Sequence, residues 1–346
     1  VARDPWLDNV KMTLVTVVVI GHALVLVLAN GDNEQIYNFI YTWHIPAFVL
    51  VTGYFSRRFT WSRTKLWSLF CTIAVPYLLF EWAMLTFREY LDDPTIESGP
   101  IWLDPHWPMW YLSATFLWRL ATPILVRHWS ALPLSVVASL LMGTLHAEWT
   151  TYLDLQRTVG FLPFFVLGLH LRPAHLARLR SRVAPVVGLV VLLGIFVLAG
   201  HADDWLTSDG AWPPRWLWYS IPYDSFGVSA TDGMWIRFRV MMLGAVGVAA
   251  VLAVIPRRQG WFSEMGAATL VVYLFHGFFV RWTRSTDYAL WSADHTPYAL
   301  WLTIAASIAL ALFLASPPVV RVLGWAVDPI GSVQRARTRS TPSRQS

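Results

Sequence analysis

Apolar residues in this chain fall in long blocks, not in alternation. Met12 to Ala29 is interrupted by one ionisable side chain, His22, and Val183 to Gly200 and Val240 to Ile255 by none. A bilayer core takes about 20 helical residues to cross. Apolar runs broken by charges and turn residues predict ten helices, at 11–30, 36–55, 65–88, 108–126, 131–147, 157–171, 183–200, 235–255, 264–281 and 298–320. Helices are required because lipid offers the backbone no other hydrogen-bond partner, and no segment shows the alternation of a membrane barrel. The first run also resembles a secretory signal, with Lys11 before it and Val27-Leu28-Ala29 at its end, but the spans that follow need insertion in any case.

Charge gives the blocks a direction. Only 14% of residues are charged, against roughly 25% in soluble domains, while 56% are apolar. Residues 1–11, 56–65, 127–130, 172–182, 256–264 and 321–346 hold 18 Lys or Arg, and the opposite loops hold 5. The positive-inside rule makes the richer side cytoplasmic, with both termini inside. The expected fold is therefore all-α, a polytopic membrane protein of about ten transmembrane helices, with one domain over 1–333 and a disordered basic tail over 334–346. The net charge of +5 belongs to the inner loops and calls for a lipid bilayer, not nucleic acid, as partner. The single cysteine, Cys71, lies in an apolar run and reads as packing.

Ionisable groups inside a membrane are costly and so mark candidate function. Here they are His22, His44, Glu81, Arg119, Arg237, Arg239 and His276. Lys11 and His22 are eleven residues apart, three helical turns, so both occupy one face about 16 Å apart. That stripe is a track for a long anionic donor whose reactive end reaches the bilayer middle. His22, His44 and His276 fall at one depth in an outer-central layer, which predicts a single polar chamber. An imidazole there can take a proton from an attacking hydroxyl or carry an acyl group itself. No His pair at i, i+3 or i, i+4 spacing supports a metal site, and none is predicted. Arg57, Arg58, Arg63 and Lys65 form an inner cluster suited to a donor's phosphates. The two longest outer loops, 88–107 and 201–235, are acidic and rich in Trp (Trp102, Trp107, Trp205, Trp212, Trp216, Trp218), as a sugar-binding surface would be. Their acidity favours a neutral or cationic acceptor.

These residues resemble the acyltransferase 3 family of bacterial membrane O-acyltransferases. Asp8-Asn9-Val10-Lys11 through Ile20-Gly21-His22 resembles the family's opening helix. Trp43-His44-Ile45-Pro46-Ala47-Phe48 running on to Thr52-Gly53-Tyr54 resembles its second. His106 to Leu112, Gly160 to Phe165 and Leu274 to Phe278 match three later motifs in the family's order. Lys11 stands where many relatives have Arg, and a lysine offers a phosphate a point charge in place of a bidentate fork. The resemblance implies about ten helices in a bacterial plasma membrane and acetyl-CoA or another acyl-CoA as donor. It implies a hydroxyl of an extracytoplasmic carbohydrate or glycolipid as acceptor, His22 as the essential catalytic residue and Lys11 in donor binding. His44 and His276 are then expected to orient His22 or donate to the developing oxyanion. The alternative is a transporter or flippase of a sugar-containing lipid, which predicts repeated halves and discontinuous helices.

Overall fold

Wherever an apolar block occurs the chain is helical, and among the described residues no strand forms. The computed structural model describes residues 4–28, 33–94, 102–146, 152–179, 181–206 and 214–332. The basic tail expected from 334 onward lies outside them.

Helix α1, Pro5–Leu24, starts where Asp4 accepts a hydrogen bond from Trp6 N at 3.0 Å and Pro5 fixes the first turn. Helix α2 is Glu34–Ser56. Helix α3, Arg63–Tyr90, contains a π turn over Phe70–Ala74, just ahead of Pro76, which has no N–H for the carbonyl four residues back. Then come α4, Trp110–Leu125, and α5, Ala131–Met142. The predicted helix at 157–171 is two: α6, Leu155–Gly160, and α7, Leu162–His170, break at Phe161 because Pro163 cannot donate across the junction. Helices α8, Ala184–Ala199, α9, Ala230–Val254, and α10, Thr269–Arg284, follow. The predicted helix at 298–320 also divides, into α11, Thr296–Ala315, and α12, Pro317–Val327. Ser316 is driven to extended backbone by the proline after it.

Among the described residues, four helices are long and apolar enough to cross a membrane: Pro5–Val27, which adds a 3-10 turn to α1, then α3, α9 and α11. Helix α2 has the length, 23 residues, but carries Gln35, Asn38, Thr42, His44 and Thr52. Helix α8 turns Val186, Val190, Leu193 and Val197 outward, an exposed apolar surface that lipid would cover.

Helix α1 is shared by two apolar clusters. Its Val10, Leu14 and Leu24 belong with Leu50 of α2, Phe165 of α7 and Val248 of α9. Its Met12, Val15 and Val19 belong with Phe80 of α3, Val272 of α10 and Leu314 of α11. Phe48 and Tyr111 border both clusters and so mark the seam between the half-bundles. Helices α2 and α7 touch backbone to backbone. A Cβ on Gly53 would collide with the Phe165 carbonyl, and one on Gly168 with the Leu50 carbonyl, so two glycines set this crossing.

Two of the intramembrane candidates are accounted for by packing. Arg237 donates to the carbonyls of Ser139 at 3.0 Å and Ile221 at 3.3 Å, and its guanidinium lies over the Tyr223 ring at 4.8 Å. It ties α9 to α5 and to the loop before α9. Glu81 accepts from the His106 backbone N–H at 3.1 Å and pairs with His106 Nδ1 at 2.7 Å, which fixes the segment entering α4.

Candidate active site

His22 sits in the last turn of α1, in contact with His276 of α10. The Val272 carbonyl lies 3.1 Å from His276 Nδ1. A carbonyl only accepts, so Nδ1 carries the proton and the neutral ring keeps its lone pair on Nε2. That Nε2 stands 2.8 Å from His22 Nδ1, which therefore donates. His22 is left with its lone pair on Nε2, the tautomer of a general base. The two imidazoles stack with centroids 5.1 Å apart, and Trp107 packs on His22 at 4.3 Å. Trp107 is held in turn: His106 is tied to Glu81, and Tyr273 of α10 donates its hydroxyl to the Pro108 carbonyl.

Two cavities lie along the seam. The first, about 260 Å³, is lined by His22 together with Trp107, Trp110, Trp218, Tyr41 and Arg157 among others, with Arg281 and Arg284 on its wall. The second, about 230 Å³, is lined by Lys11, Arg119, Phe55, Tyr111, Thr52 and Tyr273 among others. Between them is a neck of about 10 Å³, space for about one water. His22, Ile45 and Trp110 line both the neck and the first cavity, while Phe48, Tyr111 and Tyr273 line both the neck and the second. His22 thus stands where the two chambers meet.

The Lys11 and His22 stripe is a wall of this passage, one residue in each chamber. Lys11 is paired with Asp8 at 2.7 Å and lies 5.7 Å from the Phe55 ring centroid while still bordering its cavity. The three histidines do not share one chamber. His276 reaches His22 but, like His44, is fully buried and lines neither cavity nor the neck; His44 lies behind Gly21 with its Nδ1 bonded to the Ile40 carbonyl at 2.8 Å. Of the inner cluster, Arg57 stacks on Tyr54 at 3.9 Å, Lys65 donates to the Arg58 carbonyl, and Arg63 borders a separate surface groove. None of Arg57, Arg58, Arg63 and Lys65 lines the Lys11 chamber; the second cation there is Arg119, whose Nε donates to Ser56 Oγ at 3.3 Å. Its position inside an apolar helix was the available signal.

The outer-loop tryptophans divide as well. Trp107 and Trp218 line the His22 chamber, and Trp110 joins them. Trp216 is buried in a stack on Phe226 at 4.0 Å, and Trp212 lies outside the described residues. Arg157, Arg281 and Arg284, the charged residues of this wall, are in the sequence three isolated charges near helix ends with no pattern to single them out.

An imidazole of fixed tautomer, buried at the neck between two chambers, can take a proton from a group held beside it. The chain belongs to the acyltransferase 3 family: the family model, described as an acyltransferase domain, matches residues 4–317. It is similar to nodulation protein NolL of Sinorhizobium fredii, 24% identical over an alignment of 365 positions, gaps included, that covers 96% of this chain and 91% of that protein. No solved structure matches it. With its apolar helices, the family makes the chain a membrane acyltransferase.

Proposed function

We propose that this protein moves an acyl group, in the first instance acetyl, from acyl-CoA to a hydroxyl of an extracytoplasmic carbohydrate or glycolipid across a bacterial plasma membrane. The observation that carries the reading is the pair of chambers meeting at His22. The ten-span topology belongs to the proposal. Its support is the distribution of Lys and Arg, by which the Lys11 chamber would face the cytoplasm and the tryptophan-lined one the outside.

The donor's anionic end would lie against Lys11 and Arg119, and its thioester would reach into the neck. A hydroxyl arriving in the outer chamber gives its proton to His22 Nε2 as its oxygen bonds to the thioester carbonyl carbon. The tetrahedral intermediate collapses with cleavage of the C–S bond, and the proton passes from His22 to the departing sulfur. His276 holds His22 in the required tautomer and shares the charge of the imidazolium. In the variant with an acyl-histidine, Nε2 attacks the thioester carbonyl carbon and expels the CoA thiolate as the C–S bond breaks; the acceptor hydroxyl then attacks the acyl-imidazole, the C–N bond breaks to return His22, and the hydroxyl proton passes to the thiolate. A neck that holds about one water suits transfer of a small group and is too narrow to pass a sugar, which weighs against a flippase.

The test is transfer of label from radiolabelled acetyl-CoA to cell-envelope carbohydrate in membranes bearing the native chain, beside His22→Ala at equal protein level. Label in the first and none in the second is expected. Equal transfer in both would make His22 structural and end this mechanism.

A further inference from the structure

The acidity of the outer loops pointed to a neutral or cationic acceptor, but the side chains that reach the His22 chamber have the opposite sign. Arg157, Arg281 and Arg284 line it, and no carboxylate is among its described lining residues. Two of these guanidiniums flank the tryptophans beside His22: Arg281 lies 5.7 Å from the Trp107 ring centroid and Arg157 lies 5.5 Å from that of Trp110.

Their charges are only partly answered. Arg157 pairs with Asp154, three residues earlier. Arg281, at 3.2 Å, must share Asp93 with Arg88, at 2.8 Å. Arg284 has no carboxylate partner among the described residues and stands exposed at the edge of the chamber. Among the described residues, the three guanidiniums that line the chamber therefore meet two carboxylates, Asp154 and Asp93, the second of which also pairs with Arg88. In a chamber walled by indole and aliphatic side chains, that surplus attracts an anion more strongly than it would in open water. Guanidinium is also the group best matched to a carboxylate or phosphate, through two parallel charge-assisted hydrogen bonds.

Building on the proposed acyl transfer, we infer that the acceptor is an anionic saccharide whose acid group binds Arg157, Arg281 and Arg284 while its ring stacks on the chamber tryptophans and a nearby hydroxyl reaches His22. The acid group is either the carboxylate of an acidic sugar or the phosphate of a sugar phosphate or glycolipid.

The experiment is equilibrium dialysis of the purified full chain, in nanodiscs of neutral phosphatidylcholine, against three radiolabelled probes: methyl glucuronide, glucose 1-phosphate and methyl glucoside. At least one anionic probe should bind about tenfold more tightly than the neutral glucoside, the worth of one charge-assisted contact, with the preference shrinking as salt rises. Which anionic probe leads separates the carboxylate source from the phosphate source. Arg284→Gln, at an exposed position where folding is not at stake, should erode the preference, and Arg157→Gln should erode it further. Equal or tighter binding of the glucoside, a preference untouched by both substitutions, or binding of none of the probes at millimolar concentration would overturn the inference. The same nanodiscs given labelled acetyl-CoA separate the two levels. Transfer only to neutral envelope glycans refutes the anionic acceptor and leaves acyl transfer standing. Arginine-dependent binding of anionic sugars with no transfer to any glycan does the reverse.

Discussion

The two chambers are nearly equal in size, about 260 and 230 Å³, yet their walls differ in kind. The one holding Lys11 has two cations, Lys11 and Arg119, set among Phe, Tyr and aliphatic side chains, with no tryptophan among its described lining residues. The one holding His22 has three tryptophans and three arginines. Small aliphatic and phenyl groups shape a slot for a flexible chain, and cations at its mouth fix an anionic end. Flat indoles offer planes to a ring. One seam between two half-bundles thus carries two chambers with different walls, and His22 stands at the neck where they meet.

The strongest way to break this contrast is at the shared point. His22→Ala removes the base and should lower transfer by about 10²- to 10⁴-fold, with donor binding, followed separately by dialysis of labelled acetyl-CoA, nearly unchanged. Lost donor binding would mean that the ring shapes the Lys11 chamber instead of acting between chambers. His276→Ala frees His22 Nδ1 from its acceptor and should cost about tenfold in kcat with little change in either KM, as for the loss of one orienting hydrogen bond. A KM effect of similar size would make His276 a binding residue.

The contrast is sharpened by substitutions on one side alone. Lys11→Ala and Arg119→Gln should each raise the KM for acyl-CoA, by up to about tenfold, and leave acceptor KM and saturated rate near native; a rise in acceptor KM would show that the chambers are not separate. The smallest effect is expected at Glu81→Gln, where His106 keeps a neutral partner in place of a charged one. About a threefold loss of kcat is expected as Trp107 loosens against His22, together with a small fall in thermal midpoint. A purely structural role for Glu81 would lower the midpoint and leave the kcat of the folded protein alone.

Much of this was legible along the chain, for a local reason. An apolar block in lipid must be helical, so each of the ten predicted segments contains a helix, although prolines 163 and 317 divide two of them. Lys11 and His22 could be placed on one stripe because helical periodicity is a property of neighbouring residues. The family resemblance carried by motifs from Asp8 to Phe278 was likewise readable, and the family match over 4–317 bears it out. Matching histidine depths placed His22, His44 and His276 in one layer, but depth says nothing of direction around a bundle.

What the sequence determined by itself was therefore the helical, membrane-embedded character, the Lys11 and His22 face, and the family. Only the tertiary structure decided the rest. It joined His22 to His276 across 254 residues, turned His44 away behind Gly21, closed the neck with Phe48, Tyr111 and Tyr273 from three helices, and gathered Arg157, Arg281 and Arg284 onto one wall. Periodicity fixes which residues share a face of one helix. Which faces meet depends on how neighbouring helices cross, and that is set by packing such as the glycine contact of α2 with α7, between residues more than a hundred positions apart in the chain.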